Sequence, residues 1–147
     1  KNDYGVLEIG MDKKGEIDYL SKIVKPDVSV ITNINYAHAK NFKNLRQIAL
    51  AKSEIINNTK INGFIVLNSD DNFFTLHRNI ANKRNLKILS FGIDNQNANI
   101  KLISIKKISN KFKATIRINN LKTNLYSKQN EYSAGNLDSG NGYAPQQ

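Results

Sequence analysis

Short apolar runs alternate with helical patterns along the first two thirds of the chain, and this alternation constrains the fold more than any other feature. Four apolar runs predict buried strands, at residues 4–9, 28–32, 63–67 and 86–91. The segments between them repeat apolar residues at helical spacing, which predicts helices at 15–25, 44–57 and 73–80. Because strand–helix–strand units form right-handed crossovers between parallel strands, we predict an α/β fold with a mostly parallel sheet flanked by helices.

The pattern changes in the last third of the chain. Residues 99–108 and 112–118 alternate apolar and polar side chains. The turn-like segments Ser109-Asn110-Lys111 and Asn119-Asn120 separate them from each other and from a last strand at 121–127. Period-two strands with one polar face are typical of antiparallel layers. The sequence therefore predicts an antiparallel β meander at the C-terminal side of the α/β part.

These patterns divide the chain into one domain and a tail. We expect the domain over residues 1–127, with the α/β part at 1–93 and the meander at 94–127. Residues 128–147 lack periodicity and are rich in Gly, Asn, Ser and Gln, which predicts a loose or disordered tail. The chain also opens without Met, directly on a predicted strand, and this indicates a piece cut from a longer protein.

Composition excludes several classes of site. The chain has no cysteine, so it forms neither disulfides nor thiolate metal sites. No apolar run reaches membrane-spanning length, which favours a cytoplasmic protein without a membrane partner. We also expect a monomer. The net charge is +10, but the lysines are scattered and not interleaved with aromatics, so we attribute the charge to a compositional bias and expect no nucleic acid partner. A basic α/β module for nucleic acid stays the alternative.

Lys52 is the unusual residue of the central helix. It follows Leu45 by seven residues and Ile48 by four, which puts it on the apolar face. An inward lysine must extend to solvent, lose its charge or find a partner. We favour a functional site over simple extension to solvent, because the helix follows a strand and a loop carrying His38. His77, on the apolar face of the next helix, is interpreted as a packing or surface residue.

Polar side chains follow the predicted parallel strands. Glu8 lies near the carboxyl end of the first and His38 lies in the loop after the second, while Asn68, Asp70 and Asp71 follow the third. Ligands gather at the carboxyl ends of parallel strands, so these side chains are candidates for binding a metal or a substrate. The alternatives are a solvent-facing Glu8, a solvated His38 and an aspartate that caps the next helix, with Asp70 and Asp71 both suited to that role.

Four motifs follow one another at domain-like spacing. They are Leu7-Glu8-Ile9-Gly10-Met11 with Gly15-Glu16-Ile17, Thr32-Asn33-Ile34 with Ala37-His38 and Phe42, Ala51-Lys52-Ser53-Glu54-Ile55, and Asn68-Ser69-Asp70-Asp71. Together they resemble the central, ATP-binding domain of the Mur ligases of cell-wall synthesis. The first and third motifs are most similar to the branch of that family that adds D-alanyl-D-alanine to a UDP-linked muramoyl tripeptide.

The resemblance implies a role for each matching residue. Glu8 and His38 would bind Mg²⁺, and Lys52 would be carbamylated and serve as both a catalytic and a metal-binding residue. Asn68 and Asp70 would contact ATP. Support of the loop and the helix is assigned to Asn33 and Glu54. The implied reaction is ATP-driven amide formation, in which the peptide carboxylate becomes an acyl phosphate and the amine of D-alanyl-D-alanine displaces the phosphate.

Departures from the family pattern limit what the chain does alone. It contains no Gly-rich phosphate loop ending in Lys-Thr or Lys-Ser, and Lys40 stands where an acidic residue often follows the histidine. We therefore expect the isolated chain neither to hydrolyse ATP nor to ligate. Related ligases such as folylpolyglutamate synthase or a cyanophycin-type enzyme, and a degenerate domain kept for interaction, remain alternatives.

Overall fold

A computed structural model describes residues 3–36 and 41–128. Its helices and strands, in chain order, are α1 Glu16–Val24, β1 Val28–Ile31, α2 Leu45–Lys52, α3 Glu54–Asn58, β2 Phe64–Asn68, α4 Phe74–Lys83, β3 Lys87–Gly92, β4 Ile100–Ile108, β5 Lys111–Ile118 and β6 Leu121–Lys128. The six strands form one sheet in the order β1-β2-β3-β4-β5-β6. The parallel pairs β1–β2 and β2–β3 and the antiparallel meander β4–β5–β6 confirm the predicted α/β fold.

The junction between the two halves of the sheet is short. β3 and β4 pair in parallel only through Phe91–Ile100 and Gly92–Lys101. Parallel neighbours usually need a long crossover, but here β4 starts where β3 ends, so the loop of residues 93–99 has little distance to cover. The meander therefore extends past the carboxyl edge of β1–β3, the edge where the predicted site residues gather.

The core lies on one face of the parallel strands. Ile56, Ile65, Leu67 and Ala81 are almost completely buried there. Along β1 the burial alternates, with Ser29 and Ile31 buried and the two valines exposed. The Ser29 hydroxyl shares a 2.6 Å hydrogen bond with the Thr59 hydroxyl at the end of α3, so the helices cover the Ser29 face.

The predicted first strand is wrong. Residues 4–9 form no strand, and the side chains of Tyr4 and Val6 are 91% and 98% exposed. An apolar run becomes a strand only when a neighbour satisfies its backbone N–H and C=O groups. Among the described residues, β1 pairs only with β2, so the predicted βαβ unit from residue 4 to residue 32 does not form.

The predicted helix at 44–57 begins as expected but is interrupted. The Asn44 side chain caps α2 by accepting the Gln47 N–H at 3.0 Å, which confirms the predicted capping. The helix then breaks at Ser53, whose hydroxyl donates to the Leu50 carbonyl at 2.6 Å. Serine hydroxyls compete in this way with the helical hydrogen-bond ladder, and Lys52 becomes the last residue of α2.

Most of the predicted tail and the predicted site residue His38 lie outside the described residues. The predicted tail is described only at residue 128, and residues 129–147 lie outside the described part, as does His38. The domain boundaries stay predictions. None of the helices in the described ranges is both long and apolar enough to cross a membrane.

Candidate active site

Lys52 lies half-buried at the carboxyl edge of the parallel strands. Its Nζ donates a 2.9 Å hydrogen bond to the Asn33 carbonyl, in the loop that leaves β1. Burial lowers the pKa of Lys52 below its ordinary value of 10.5, although the negative charge of Asp71 acts in the opposite direction. Within the described residues, this lysine donates one hydrogen bond, to a carbonyl, and burial gives it a larger neutral fraction than an exposed lysine has.

Asp71 connects the loops after β1 and β2. One carboxylate oxygen accepts the Ile34 N–H at 2.8 Å, and the other accepts the Phe73 N–H at 2.7 Å. The Asp71 carbonyl also accepts the first N–H of α4, from Phe74, at 3.0 Å. Asp71, and not Asp70, therefore organises the turn into α4, although the N-cap position itself is Phe73.

Asp70 holds the loop between β3 and β4. Its carboxylate accepts the N–H groups of Ile93, Asp94 at 3.1 Å and Asn95 at 2.9 Å. Burial acts to raise the pKa of Asp70, but these backbone bonds hold it below its ordinary 3.8. Gly92 makes the contact possible, because a Cβ there would lie 2.7 Å from an Asp70 carboxylate oxygen.

Asn68 supports the turn that follows β2. Its side-chain oxygen accepts the Asp70 N–H at 2.9 Å. Asn68 thus binds a backbone group of its own turn, and Asp70 binds backbone groups of the β3–β4 loop, roles that the sequence did not indicate. Contact of either side chain with a nucleotide stays a prediction.

Glu54 caps α1 across the fold. Its carboxylate accepts the Gly15 N–H at 3.0 and 3.1 Å and the Asp18 N–H at 3.0 Å. Gly15 has a left-handed backbone with φ of 93° and no side chain to cap its own helix. Glu54, the first residue of α3, therefore ties the loop before α1 to the helix that follows α2, so it has a supporting role, as predicted.

His77 is a packing residue, as predicted. Its ring is 2% exposed, and its Nε2 lies 3.0 Å from the Ala49 carbonyl of α2. Since a carbonyl only accepts, Nε2 carries the hydrogen. Burial lowers the pKa of His77 below its ordinary 6.5, against the opposing effects of the Ala49 hydrogen bond and the Asp71 charge.

The predicted metal ligands are only partly described. Glu8 is exposed, and no hydrogen bond or ion pair joins it to Lys52, although both residues belong to the described ranges. His38 falls in the undescribed gap between residues 36 and 41. Within residues 3–36 and 41–128, no group of three or more His, Asp or Glu side chains could hold a metal ion. The set of Glu8, His38 and Lys52 stays a prediction.

Comparison with known proteins assigns the family. A sequence model of the Mur ligase middle domain matches residues 1–134. The chain belongs to the Mur ligase middle domain family. This membership accounts for the four motifs in their observed order and for the parallel sheet with its appended meander.

Two relatives specify the branch that this Mur ligase middle domain resembles. It is 38% identical over 120 residues to UDP-N-acetylmuramoyl-tripeptide–D-alanyl-D-alanine ligase of Buchnera aphidicola, covering 80% of this chain and 23% of that protein. It is 43% identical over 109 residues to the enzyme of the same name from Borreliella burgdorferi, covering 73% of this chain and 22% of that protein. The chain thus spans about a quarter of the length of these relatives.

Solved structures agree with this assignment. The MurF ligase from Thermotoga maritima, solved in complex with ADP, matches with a TM-score of 0.70 and 28% identity, over 85% of this chain and 29% of that one. MurF from Acinetobacter baumannii matches with a TM-score of 0.69 and 28% identity, over 80% of this chain and 25% of that one.

Proposed function

We propose that this chain is part of the central domain of an ATP-dependent ligase that joins D-alanyl-D-alanine to a UDP-linked muramoyl tripeptide. Family membership, the names of the two relatives and the ADP complex of the Thermotoga protein support the proposal. These relatives favour this reaction over that of a folylpolyglutamate synthase or a cyanophycin-type enzyme. The cytoplasmic location and the monomeric state stay predictions.

The position of Lys52 carries the proposal. A half-buried lysine with a lowered pKa presents more neutral amine at a given pH than an exposed lysine does. The neutral amine attacks the carbon of CO₂, an N–C bond forms, and one proton leaves to solvent, so the product is a carbamate anion. The carbamate nitrogen keeps one hydrogen, which is enough to donate to the Asn33 carbonyl that accepts from the amine. A costly inward cation thereby becomes an anion rich in oxygen donors.

Magnesium enters the proposal through Glu8, His38 and Lys52, of which the structure describes Glu8 and Lys52. Glu8, His38 and a Lys52 carbamate would supply one nitrogen and several oxygen donors, and Mg²⁺ prefers oxygen. The described residues alone do not assemble such a site, because Glu8 is exposed and no hydrogen bond or ion pair joins it to Lys52.

The proposed reaction is two substitutions. The terminal carboxylate of the UDP-linked peptide attacks the γ-phosphorus of ATP, a P–O bond forms, and ADP leaves. The amine of D-alanyl-D-alanine then attacks the acyl carbon, phosphate leaves with the C–O electron pair, and the amine proton passes to a base. Asp71 and Glu54 contribute by fixing the loops around Lys52, since catalysis of this kind depends on positioning.

Replacing Lys52 in the ligase that contains this chain tests the proposal. We expect Lys52→Ala to lower kcat at least about 100-fold, as the loss of a charged group at a reacting phosphate does. The protein is also incubated with ¹³C-bicarbonate, and a carbamate ¹³C signal is expected from the parent and not from Lys52→Ala. Lys83→Ala, at the exposed end of α4, is the control for both measurements.

Two results would contradict the proposal. One is normal ligation by Lys52→Ala, and the other is a carbamate signal that survives the substitution. Salt-sensitive binding of an unrelated polynucleotide by a protein without ligase activity would favour the nucleic-acid alternative.

A further inference from the structure

The peptide group that joins Asn33 to Ile34 lies between two side chains of opposite charge. Its N–H donates to an Asp71 carboxylate oxygen at 2.8 Å. Its carbonyl oxygen accepts from the Lys52 Nζ at 2.9 Å. Both polar atoms of one peptide are therefore used, and the peptide connects Asp71, in the loop after β2, to Lys52, the last residue of α2.

The charges match the polarity of this peptide. The N–H is the positive end of a peptide dipole and the carbonyl oxygen is its negative end. Here the carboxylate lies at the N–H and the amine lies at the carbonyl oxygen. Hydrogen bonds to ionised groups are stronger than neutral ones, and successive bonds polarise one another. The Asp71 carboxylate therefore makes the Asn33 carbonyl a better acceptor for Lys52 and fixes the direction in which it points.

Formation of the turn into α4 explains only one of the two carboxylate bonds of Asp71. Aspartate side chains commonly accept the backbone N–H two residues ahead, and Asp71 does so with Phe73 at 2.7 Å. The bond to the Ile34 N–H spans 37 residues of sequence and is not needed for that turn. The second carboxylate oxygen therefore requires its own explanation.

The surroundings hold both ends of this connection in place. The Ile34 side chain packs against the buried core, and the His77 ring binds the Ala49 carbonyl, three residues before Lys52. Burial lowers the pKa of both Lys52 and His77, and the charge of Asp71 opposes that effect in both, so the three groups lie close together. The loop after β1, the end of α2 and the start of α4 are thus fixed relative to one another around the Lys52 amine.

We propose that Asp71 is a positioning residue, which orients the Lys52 amine through the Asn33–Ile34 peptide. The inference rests on the proposed function, because that function gives Lys52 its place in the reaction. Asp71 contacts no reacting atom, but it sets the direction of the carbonyl that binds the amine. A carbamate N–H has the same carbonyl available, so one contact serves both forms of Lys52. Small displacements of a reacting group are costly to the rate.

Asp71→Ser separates the two carboxylate bonds of Asp71. A serine hydroxyl accepts the Phe73 N–H in the same kind of local turn, but it offers one oxygen in place of two, so the bond to the Ile34 N–H is lost. The control is Asp27→Ser. It removes an exposed carboxylate that pairs with Lys60 just before β1, at the opposite edge of the sheet.

NMR spectra of the 147-residue chain test the connection without ligase activity. We expect a scalar coupling across the hydrogen bond between the Lys52 ¹⁵Nζ and the Asn33 carbonyl carbon, measured at a pH where Lys52 is charged. Asp71→Ser should weaken this coupling and move the Ile34 amide proton upfield, because a charged acceptor is lost. Asp27→Ser should change neither. A coupling that is absent from the parent chain, or unchanged in Asp71→Ser, would overturn the inference and leave the ligase proposal intact.

Kinetics of the ligase that contains this chain test the consequence. We expect Asp71→Ser to lower kcat about tenfold and to change KM less than about twofold, because the effect is on the position of a reacting group. In a Lys52→Ala background, Asp71→Ser should have little further effect, since no amine is left to orient. A tenfold loss in both backgrounds would show that Asp71 acts independently of Lys52 and would overturn the inference.

The carbamate ¹³C signal separates position from charge. The charge of Asp71 favours the protonated amine, so Asp71→Ser does not reduce the supply of neutral amine, and the signal should persist. Loss of the signal would assign Asp71 a role in forming the carbamate and overturn the inference.

A second variant keeps the test decisive. If Asp71→Ser does not fold, Asp71→Asn replaces it, because it keeps one acceptor oxygen and removes the charge. The same changes at Ile34 and Lys52 are then expected with smaller size, and their absence would overturn the inference. A weakened coupling in a parent protein without ligase activity would refute the proposed function alone.

Discussion

The parallel half of the sheet and the meander use charge in opposite ways. Around β1–β3, the carboxylates of Glu54, Asp70 and Asp71 bind backbone N–H groups and fix the loops of the candidate site. Strands β4–β6 (residues 100–128) contain no acidic residue, add no residue to the buried core cluster of the described residues and place several cations opposite one another. The difference teaches that carboxylate–backbone contacts are concentrated where Lys52 is positioned, while β4–β6 are held by strand pairing and a few side-chain contacts, such as that of Arg117 with the Gln96 carbonyl.

Truncating one isoleucine in each half is expected to give the largest contrast in stability. Ile65 on β2 is completely buried, whereas Ile105 on β4 is 59% exposed. We expect Ile65→Ala to lower the free energy of unfolding by about 2–5 kcal/mol, because it leaves a cavity in the core. Ile105→Ala should cost less than about 1 kcal/mol. Urea unfolding measures both, and equal losses would remove the distinction between the halves.

Replacing Glu54 tests the carboxylate anchors. Glu54→Ala leaves the N–H groups of Gly15 and Asp18 without their acceptor, and we expect a loss of about 0.5–2 kcal/mol, as for other helix caps. Glu54→Gln keeps an oxygen acceptor and should cost less. Hydrogen exchange at the two amides reports the same contact, and unchanged protection in Glu54→Ala would show that α1 is capped in another way.

The sequence predicts the elements well where the pattern is local. Three of the four expected parallel strands, the helices and the meander form, because periodicity and turn residues act over a few positions. Residues 4–9 fail, since their pattern contains no information on whether a partner strand lies beside them. The sequence also does not predict that Asp70 binds the β3–β4 loop, because its partners lie 23 to 25 residues away. The one signal of that contact is Gly92 at the end of β3, where the Asp70 carboxylate comes too close for a Cβ.

Acidification should weaken the parallel half through His77. In the folded state burial lowers the pKa of His77 below 6.5. At a pH between that lowered pKa and 6.5, the unfolded chain therefore binds more protons than the folded chain. The contribution of His77 to stability is therefore present above pH 6.5 and declines as the pH falls. Urea unfolding from about pH 8 to about pH 5 should show a shallower decline for His77→Gln, which keeps an N–H donor for Ala49. Identical slopes would contradict this burial effect.

The smallest effect is expected in the meander. Lys106→Gln removes one member of the opposed pair with Lys113 and should raise stability by about 0.2–1 kcal/mol in low salt. The gain should shrink as salt is added, because exposed charges are screened. Lys83→Gln, on α4, is the matched control and should change stability little. A loss of stability in Lys106→Gln would mean that Lys106 and Lys113 do not repel each other across β4 and β5.

A direct titration of Lys52 tests the central claim most directly. The chain is labelled at the lysine side chains, and the NMR signal of each amine is followed against pH, with Lys52→Arg used to assign the Lys52 signal. We predict that Lys52 titrates below its ordinary value of 10.5, because burial disfavours its charged form. Titration of Lys52 at or above 10.5 would contradict the account.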